Sequence, residues 1–290
     1  MIEYAYHCTS NGDIKEFIPH VSSHGKAYVY ATPNKSLALV FGVPEHGDYV
    51  VHPLYDSISN TCTFVEMQPD ALAKYYRGKS AYLYTVNKDN FTETTGWKGE
   101  ICSSNPVKPI KVEYIEDLEQ AILNEQKSGR LELIQFDERN NHGRNMDDFF
   151  AKRDLGYLIK RNDEQQAKRF VGNMKNTGNK ELFLLFKKHL STCLESFSSK
   201  ETKSIPDNER IVPKEILERY KTDTSDEIIC DIFYNFNYLS LDNIEQATAE
   251  IKETNNRVLM QKIVFRLTKL NNIVKEIDAK APIVQSKTME

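Results

Sequence analysis

Cysteine is sparse in this chain, with five residues spread over 290 positions and no two in Cys-x-x-Cys spacing. The odd number and the wide separation exclude a disulfide framework or a zinc ribbon as the basis of the fold. The chain also lacks a run of about 18 apolar residues that could span a bilayer. Residues 1–4 do not resemble the start of a secretory signal. We therefore predict a cytoplasmic protein that does not associate with a membrane.

Common metal-binding and nucleotide-binding motifs are missing as well. His20 and His24 stand four residues apart, but the Val-Ser-Ser between them is not helical and no acidic or sulfur ligand is near them in sequence. We interpret both as surface-loop residues and predict no metal site. The glycines of residues 42–47 form neither a Gly-x-Gly-x-x-Gly nor a Gly-Lys-Ser/Thr pattern. This excludes a Rossmann or P-loop site in that segment.

Charge is distributed unevenly along the chain. The formal net charge is −4, from 38 Lys and Arg against 42 Asp and Glu. Residues 1–118 carry all of this excess, with ten basic and fourteen acidic residues. Residues 151–190 instead carry ten basic residues against four acidic ones, a net of +6. The second part of the chain therefore contains a candidate basic face.

The sequence pattern changes near residue 118. Before that point, short segments rich in β-branched and aromatic residues are separated by Gly, Pro, Asn and Asp, a pattern typical of strands. These segments are residues 3–7, 27–31, 62–66, 81–86 and 109–114. Short helices are predicted at residues 33–41 and 69–76. The first part is therefore predicted to be α+β and dominated by strands.

From Glu116 onward the apolar residues recur with helical periodicity. Helices are predicted at residues 116–127, 146–158, 164–175, 180–194, 213–220, 226–238, 241–253 and 258–277. The polar stretch 140–145 is the predicted linker, and residues 195–212 are predicted to be a flexible connection. We thus predict an α+β domain over residues 1–138 and an all-helical domain over residues 146–290. The broad apolar stripe of residues 258–277 indicates a helix–helix core, with a docking face as the alternative.

Three separated segments of the first part combine functional side chains with strand ends. They are Tyr6-His7-Cys8-Thr9-Ser10, the stretch from Gly25 through Tyr28 and Tyr30 to Ser36 and Ala38, and Trp97-Lys98-Gly99-Glu100. In order and spacing, these segments resemble the ADP-ribosyltransferases of the diphtheria-toxin and poly(ADP-ribose)-polymerase type. That family is marked by a His, a Tyr and a Glu. The resemblance covers residues 1–118 and implies a split β-sandwich that binds NAD⁺ as its substrate.

The resemblance implies a role for each central residue. The His7 ring would hydrogen-bond a ribose hydroxyl, and the backbone amides near Cys8 and Thr9 would reach the nicotinamide carboxamide. Tyr30 would stack on the nicotinamide, and Tyr28 shares this role as a candidate because both side chains lie on one face of a strand. Glu100 would hold the ribose 2′-hydroxyl and balance positive charge as the glycosidic bond breaks. The predicted catalytic residues are therefore Glu100, His7 and Tyr30.

The NAD⁺-binding prediction extends to Ser36 and Phe41, and the sequence departs from the family pattern in two places. Cys8 stands where the family usually has Gly, so a side chain occupies a place of close backbone approach. Aliphatic Leu39 takes the place of a second stacking aromatic, with Phe41 nearby. Poly(ADP-ribose) synthesis is therefore not implied.

The segment before Glu100 has two open interpretations. Residues 92–96 are either a target-recognition loop, as the family places one there, or a plain hairpin loop. Trp97, the only tryptophan, either packs beneath the strand or presents an aromatic face to a substrate.

The resemblance predicts a mono-ADP-ribosyltransferase that modifies a macromolecule, as a bacterial or phage toxin, defence or counter-defence enzyme. The basic residues 151–190 favour a nucleic-acid acceptor, RNA or DNA, slightly over protein. The helical domain is a candidate site for an antitoxin or regulatory partner. One alternative is an NAD⁺ glycohydrolase or an RNA 2′-phosphotransferase, and the lack of Arg other than Arg77 in residues 1–118 counts against the latter. A further alternative is a non-enzymatic interaction protein with a degenerate transferase-like domain.

Overall fold

The computed structural model describes residues 3–21, 26–43, 49–95, 97–141, 145–176, 179–199, 205–236 and 241–280. The chain divides into two compact units, Met1–Arg139 and Asn140–Glu290. Within the described ranges, strands occur only in the first unit and the second is helical. The predicted α+β class with a C-terminal helical region is therefore confirmed.

The described part of the first unit contains nine strands. They are β1 (Tyr4–Thr9), β2 (His20–Val21), β3 (Ala27–Ala31), β4 (Val51–Asp56), β5 (Thr61–Glu66), β6 (Ala81–Asn87), β7 (Ile101–Ser103), β8 (Lys111–Ile115) and β9 (Leu131–Ile134). They form three small sheets with the orders β1-β6-β8, β2-β3-β7 and β4-β5-β9. Neighbouring strands are antiparallel except β5 and β9, which run parallel.

The described part of the first unit contains three α-helices, and side chains cap two of them. They are α1 (Lys35–Ala38), α2 (Ala71–Tyr76) and α3 (Leu118–Lys127). The Asn34 side chain caps α1 by accepting the Leu37 N–H at 2.9 Å, and the Asp117 side chain caps α3 in the same way. After α3, Gly129 adopts φ +72°, a left-handed conformation that favours glycine and stops the helix.

Two buried clusters lie on opposite faces of β6, because Leu83 and Tyr84 are adjacent in that strand and point to opposite sides. One cluster packs around Leu37, Phe64, Tyr76, Leu83 and Leu118. The other packs around Phe17, Val29, Tyr84, Val86 and Val107. A pair of backbone hydrogen bonds between Tyr6 and Thr32, 2.8 and 2.9 Å long, joins β1 to the end of β3. This junction brings the first two sheets together.

The second unit consists of helices over its described residues. They are α4 (Met146–Arg161), α5 (Glu164–Asn176), α6 (Lys180–Ser198), α7 (Lys214–Thr222), α8 (Asp226–Phe236), α9 (Leu241–Glu253) and α10 (Arg257–Ala279). Side chains of Asn145, Asn179 and Asn256 cap α4, α6 and α10. Most of the apolar stripe of α10 is buried between Leu259 and Ile277, as the core interpretation predicts, whereas Val258 and Phe265 are exposed. None of the described helices has both the length and the apolarity required to cross a bilayer.

The structure differs from the sequence prediction in a few elements. Strand β4 was not predicted from the sequence. It contains Pro53, which has no N–H, and this is tolerated because β4 is an edge strand. The helical pattern predicted from residue 116 onward is interrupted by β9. Helix α6 continues through Ser198 because Phe197 is buried, so it includes the first residues of the predicted flexible connection. Residues 142–144 of the predicted linker and 200–204 of that connection lie outside the described residues.

Candidate active site

Strand pairing brings the three predicted catalytic positions to one place in the first unit. His7 lies on β1, and the Tyr6–Thr32 hydrogen bonds hold β1 against the end of β3. Tyr30 on β3 pairs with Cys102 on β7. Glu100 directly precedes β7, so it lies at the same end as Thr32. Tyr30 and His7, which lie 70 and 93 positions before Glu100 in sequence, thus meet it at one junction.

These residues line a cleft of about 420 Å³, a volume typical of small-molecule sites. Its walls are formed by Tyr6, His7, Cys8, Thr9, His20, Tyr30, Ala31, Thr32, Ala38, Phe41, Trp97, Gly99 and Glu100. Aromatic rings and a few convergent polar groups dominate the lining. Such a surface suits a ligand that has a flat ring and hydroxyl groups.

His7 is fixed by a hydrogen bond between its Nδ1 and the Tyr30 carbonyl oxygen at 2.8 Å. Since a carbonyl oxygen only accepts, Nδ1 carries the proton and Nε2 of the neutral ring is an acceptor. Burial lowers the pKa of His7, and the charge of His20 lowers it further. The imidazole also packs on Phe17, with ring centroids 4.7 Å apart. His7 therefore offers the cleft a positioned neutral acceptor.

The two candidate stacking tyrosines have different surroundings. Tyr30 lines the cleft, and its ring centroid lies 6.0 Å from Tyr28 and 6.3 Å from His20. Tyr28 does not line the cleft; it is only 7% exposed, and its hydroxyl donates to Glu93 at 2.7 Å. That hydrogen bond raises the pKa of Tyr28 to about 12. Tyr30 is thus the tyrosine of this pair that a ligand in the cleft can touch.

Glu100 is oriented by a neighbouring hydroxyl. Thr95 Oγ1 donates to Glu100 Oε1 at 2.8 Å, and both residues are partly buried. A carboxylate held in this way loses rotational freedom. Thr95 was predicted only as part of the 92–96 loop, and Gly96 lies outside the described residues.

Trp97 lies between the core and the cleft. Its ring packs partly on the buried core and also lines the cleft. A Cβ atom on Gly99 would lie 2.6 Å from Cζ2 of Trp97. Position 99 therefore requires glycine for the indole to pack where it does.

The remaining predicted NAD⁺-binding residues divide into two groups. Cys8, Thr9 and Phe41 line the cleft. Cys8 is 3% exposed, and burial raises the pKa of its thiol to about 12, so it is a neutral wall residue. Ser36 is buried on α1, and its hydroxyl donates to Glu125 Oε2. Ser36 therefore supports the helix beside the cleft and is not part of the lining.

Some lining residues were not predicted from the sequence. His20 lies on the two-residue strand β2, which pairs with β3 at Tyr28, and no sequence pattern indicated a strand there. His24, which like His20 was predicted to be a surface-loop residue, lies outside the described residues. Tyr6 and Thr32 lie in the segments that carry the family resemblance, next to His7 and Ala31 in sequence. That position was the sequence signal that could have indicated them as lining residues.

The cleft has a distinctive charge pattern. Among the described residues that line it, none is Lys or Arg, and Glu100 is the only carboxylate. Across the described ranges, no three His, Cys, Asp or Glu side chains converge in a way that could hold a metal ion.

Comparisons of this chain with models of protein families, with curated proteins and with solved structures found no match.

Proposed function

We propose that the first unit is a mono-ADP-ribosyltransferase domain of split β-sandwich type, which binds NAD⁺ in the cleft and transfers ADP-ribose to a macromolecular acceptor. One observation carries this proposal. His7, Tyr30 and Glu100, which come from three separate segments of the sequence, line a single cleft of about 420 Å³. A cytoplasmic protein of a bacterial or phage toxin or defence system is the setting that we propose.

Each residue has a defined part in the proposed reaction. The Tyr30 ring stacks on the nicotinamide, while Nε2 of His7 accepts a hydrogen bond from a ribose hydroxyl. One oxygen of Glu100 accepts the 2′-hydroxyl and stabilises the positive charge that develops on the ribose. The bond between C1′ and the nicotinamide nitrogen breaks, nicotinamide leaves with the electron pair, and an acceptor atom bonds to C1′ and releases its proton.

The charge pattern supports this chemistry over RNA 2′-phosphate removal. A phosphate-transferring site needs cations near the phosphate, and the described cleft lining has no Lys or Arg. Arg77, the arginine that the sequence offered for this purpose, donates two hydrogen bonds to Glu119, at 2.7 and 3.0 Å. Arg77 does not line the cleft.

The test is incubation of the full chain with NAD⁺ labelled in the adenine-containing half, in parallel with protein lysate, single-stranded RNA and DNA. We expect label on one class of macromolecule, with nucleic acid slightly favoured. Glu100→Gln should abolish labelling because it removes the charge and keeps the shape. The matched control is Glu116→Gln, which removes the same charge from an exposed residue and should label like the unmodified protein.

Three outcomes oppose the proposal in different ways. Nicotinamide release without label on any macromolecule indicates a glycohydrolase. Equal labelling by Glu100→Gln and by the control excludes the proposed role of the carboxylate. No label and no nicotinamide release, while a known transferase labels its target under the same conditions, indicates an interaction protein with a degenerate transferase-like domain.

A further inference from the structure

Several basic residues of 151–190 are engaged in contacts within the second unit. Lys152 pairs with Asp148 at 2.7 Å, Arg153 pairs with Asp154 at 2.7 Å, and Lys187 pairs with Asp278. Lys175 donates to backbone carbonyls at the end of α10. The net charge of +6 therefore does not form a continuous basic face, and any site for a polyanion must be more local.

A local basic site occurs where α4 ends and α5 begins. The rings of Tyr157 on α4 and Phe170 on α5 lie 5.3 Å apart with an interplanar angle of 32°. The Arg161 guanidinium lies 5.5 Å from the Tyr157 ring centroid, and that of Arg169 lies 5.9 Å from the Phe170 centroid. Both arginines are exposed and both rings are partly exposed. We call these four residues the aromatic–arginine patch.

The patch is held in place by its own helices. Tyr157 and Arg161 are four residues apart on α4, so they share a face. Gln166 Nε2 donates to the Tyr157 hydroxyl at 2.8 Å, which fixes the ring across the α4–α5 corner. The rings therefore form a built platform beside two guanidinium groups, which reduces the ordering cost of binding.

The patch keeps a positive excess when nearby acids are included. Asp163 caps α5 by accepting the Gln166 N–H at 3.0 Å, and Glu164 pairs with Lys168 at 2.9 Å. Exposed Lys160 adjoins Arg161. Glu276 also lies 3.5 Å from Lys168, so the four cations Lys160, Arg161, Lys168 and Arg169 outnumber the three carboxylates Asp163, Glu164 and Glu276. The complementary partner is anionic.

We propose that the aromatic–arginine patch binds single-stranded nucleic acid. Guanidinium groups contact phosphates, and unstacked bases lie on the aromatic and guanidinium planes, which every base can do. A duplex keeps its bases stacked inside and cannot use the rings in this way. The proposal goes beyond the chemistry of the cleft, since the patch can bind nucleic acid whether or not the cleft is active. Where the proposed transferase activity also holds, the patch identifies nucleic acid as the acceptor.

The test is fluorescence anisotropy of a labelled mixed-sequence single-stranded RNA with the full chain over a range of salt concentrations. Arg161→Ala with Arg169→Ala should weaken binding about tenfold or more. The slope of log K against log salt should fall by about 1.4, since each phosphate contact contributes about 0.7. The matched control is Lys180→Ala with Lys188→Ala, which removes two exposed charges elsewhere on the unit and should change affinity less than twofold.

Two further variants separate stacking from charge. Arg161→Lys with Arg169→Lys keeps both charges but loses the planar groups, so we expect weaker binding with an unchanged salt slope. Phe170→Leu removes an aromatic ring on which a base would stack and should weaken single-strand binding about tenfold. Circular dichroism and thermal melting confirm that each variant is folded.

Several results would overturn the proposal. One is equal weakening by the patch pair and by the lysine control pair, which indicates non-specific attraction. Another is duplex binding that is as tight as single-strand binding. A third is no binding of RNA or of single-stranded DNA at low salt, which excludes nucleic acid as the partner and leaves an acidic protein surface as the candidate.

Discussion

Removal of the Thr95 hydroxyl is a sharp test of how the candidate active site is organised. Thr95 Oγ1 donates to Glu100 Oε1 at 2.8 Å. Thr95→Val removes this donor and keeps the shape of the side chain. The Glu100 carboxylate then keeps its charge but loses one of the groups that orient it. We expect slower chemistry and nearly unchanged NAD⁺ binding, because the cleft walls that hold the ligand stay in place.

The expected magnitude follows from the strength of this hydrogen bond. Hydrogen bonds to charged groups contribute about 1.5–3 kcal/mol. Thr95 and Glu100 are partly exposed, so solvent replaces part of the interaction and the low end applies. A loss of about 1.4 kcal/mol in transition-state stabilisation lowers kcat about tenfold. KM should change less than twofold.

The assay is steady-state release of nicotinamide from NAD⁺, with kcat and KM determined separately. Thr95→Ser restores the hydroxyl and should recover most of kcat. Thr92→Val changes an exposed threonine of the same loop and serves as the matched control. An unchanged kcat for Thr95→Val would refute the positioning role, as would an equal loss for Thr92→Val.

Three other predictions concern stability and reactivity. Burial lowers the pKa of His7, so the folded state favours the neutral ring. The contribution of this preference to the free energy of unfolding is fully present above about pH 6.5. It is lost as the pH falls through the lowered pKa. The melting temperature should therefore fall less between about pH 7.5 and about pH 5.5 in His7→Gln than in the unmodified protein. An equal fall in both proteins would contradict this. Asn256→Ala removes the cap of α10 and two hydrogen bonds to the Tyr220 and Asp223 carbonyls. The free energy of unfolding, measured with denaturant, should fall by about 1–2 kcal/mol. An unchanged value would contradict the prediction. Burial raises the pKa of the Cys8 thiol to about 12, so iodoacetamide should alkylate the partly exposed Cys230 first, and mass spectrometry that finds Cys8 modified first would be inconsistent.

Most regular elements could be predicted because their signals are local. The strand predicted at residues 27–31 matches β3 (Ala27–Ala31), since β-branched and aromatic residues favour the pleated conformation. Helix α10 matches its predicted range within two residues at each end, because its apolar residues recur with helical periodicity. Local composition was sufficient for such elements.

The elements that were not predicted depend on distant partners. Strand β9 exists because its backbone pairs in parallel with β5, from Cys62 opposite Leu131 to Val65 opposite Ile134. Nothing near β9 in sequence indicates that pairing. His20 is comparable, since its place at the cleft comes from the pairing of β2 with β3. The residues within a short strand do not by themselves indicate which distant strand will be the partner.

The candidate site was only partly predictable for a related reason. The prediction of His7, Tyr30 and Glu100 rests on their resemblance to a family pattern, which carries information on order and spacing. Ser36 belonged to the same pattern, yet the structure places its hydroxyl on Glu125 and outside the cleft lining. The direction of a side chain on a short helix depends on the partners it meets, and Glu125 lies 89 residues away in sequence.

The most direct test of the proposed transferase activity counts two products of one reaction. Nicotinamide released from labelled NAD⁺ and label transferred to the acceptor are measured together for the unmodified protein, Glu100→Gln and Glu116→Gln. We expect equal amounts of both products for the unmodified protein and for Glu116→Gln, and neither product for Glu100→Gln. Label transfer by Glu100→Gln at the unmodified rate, or the absence of both products from the unmodified protein, would contradict it.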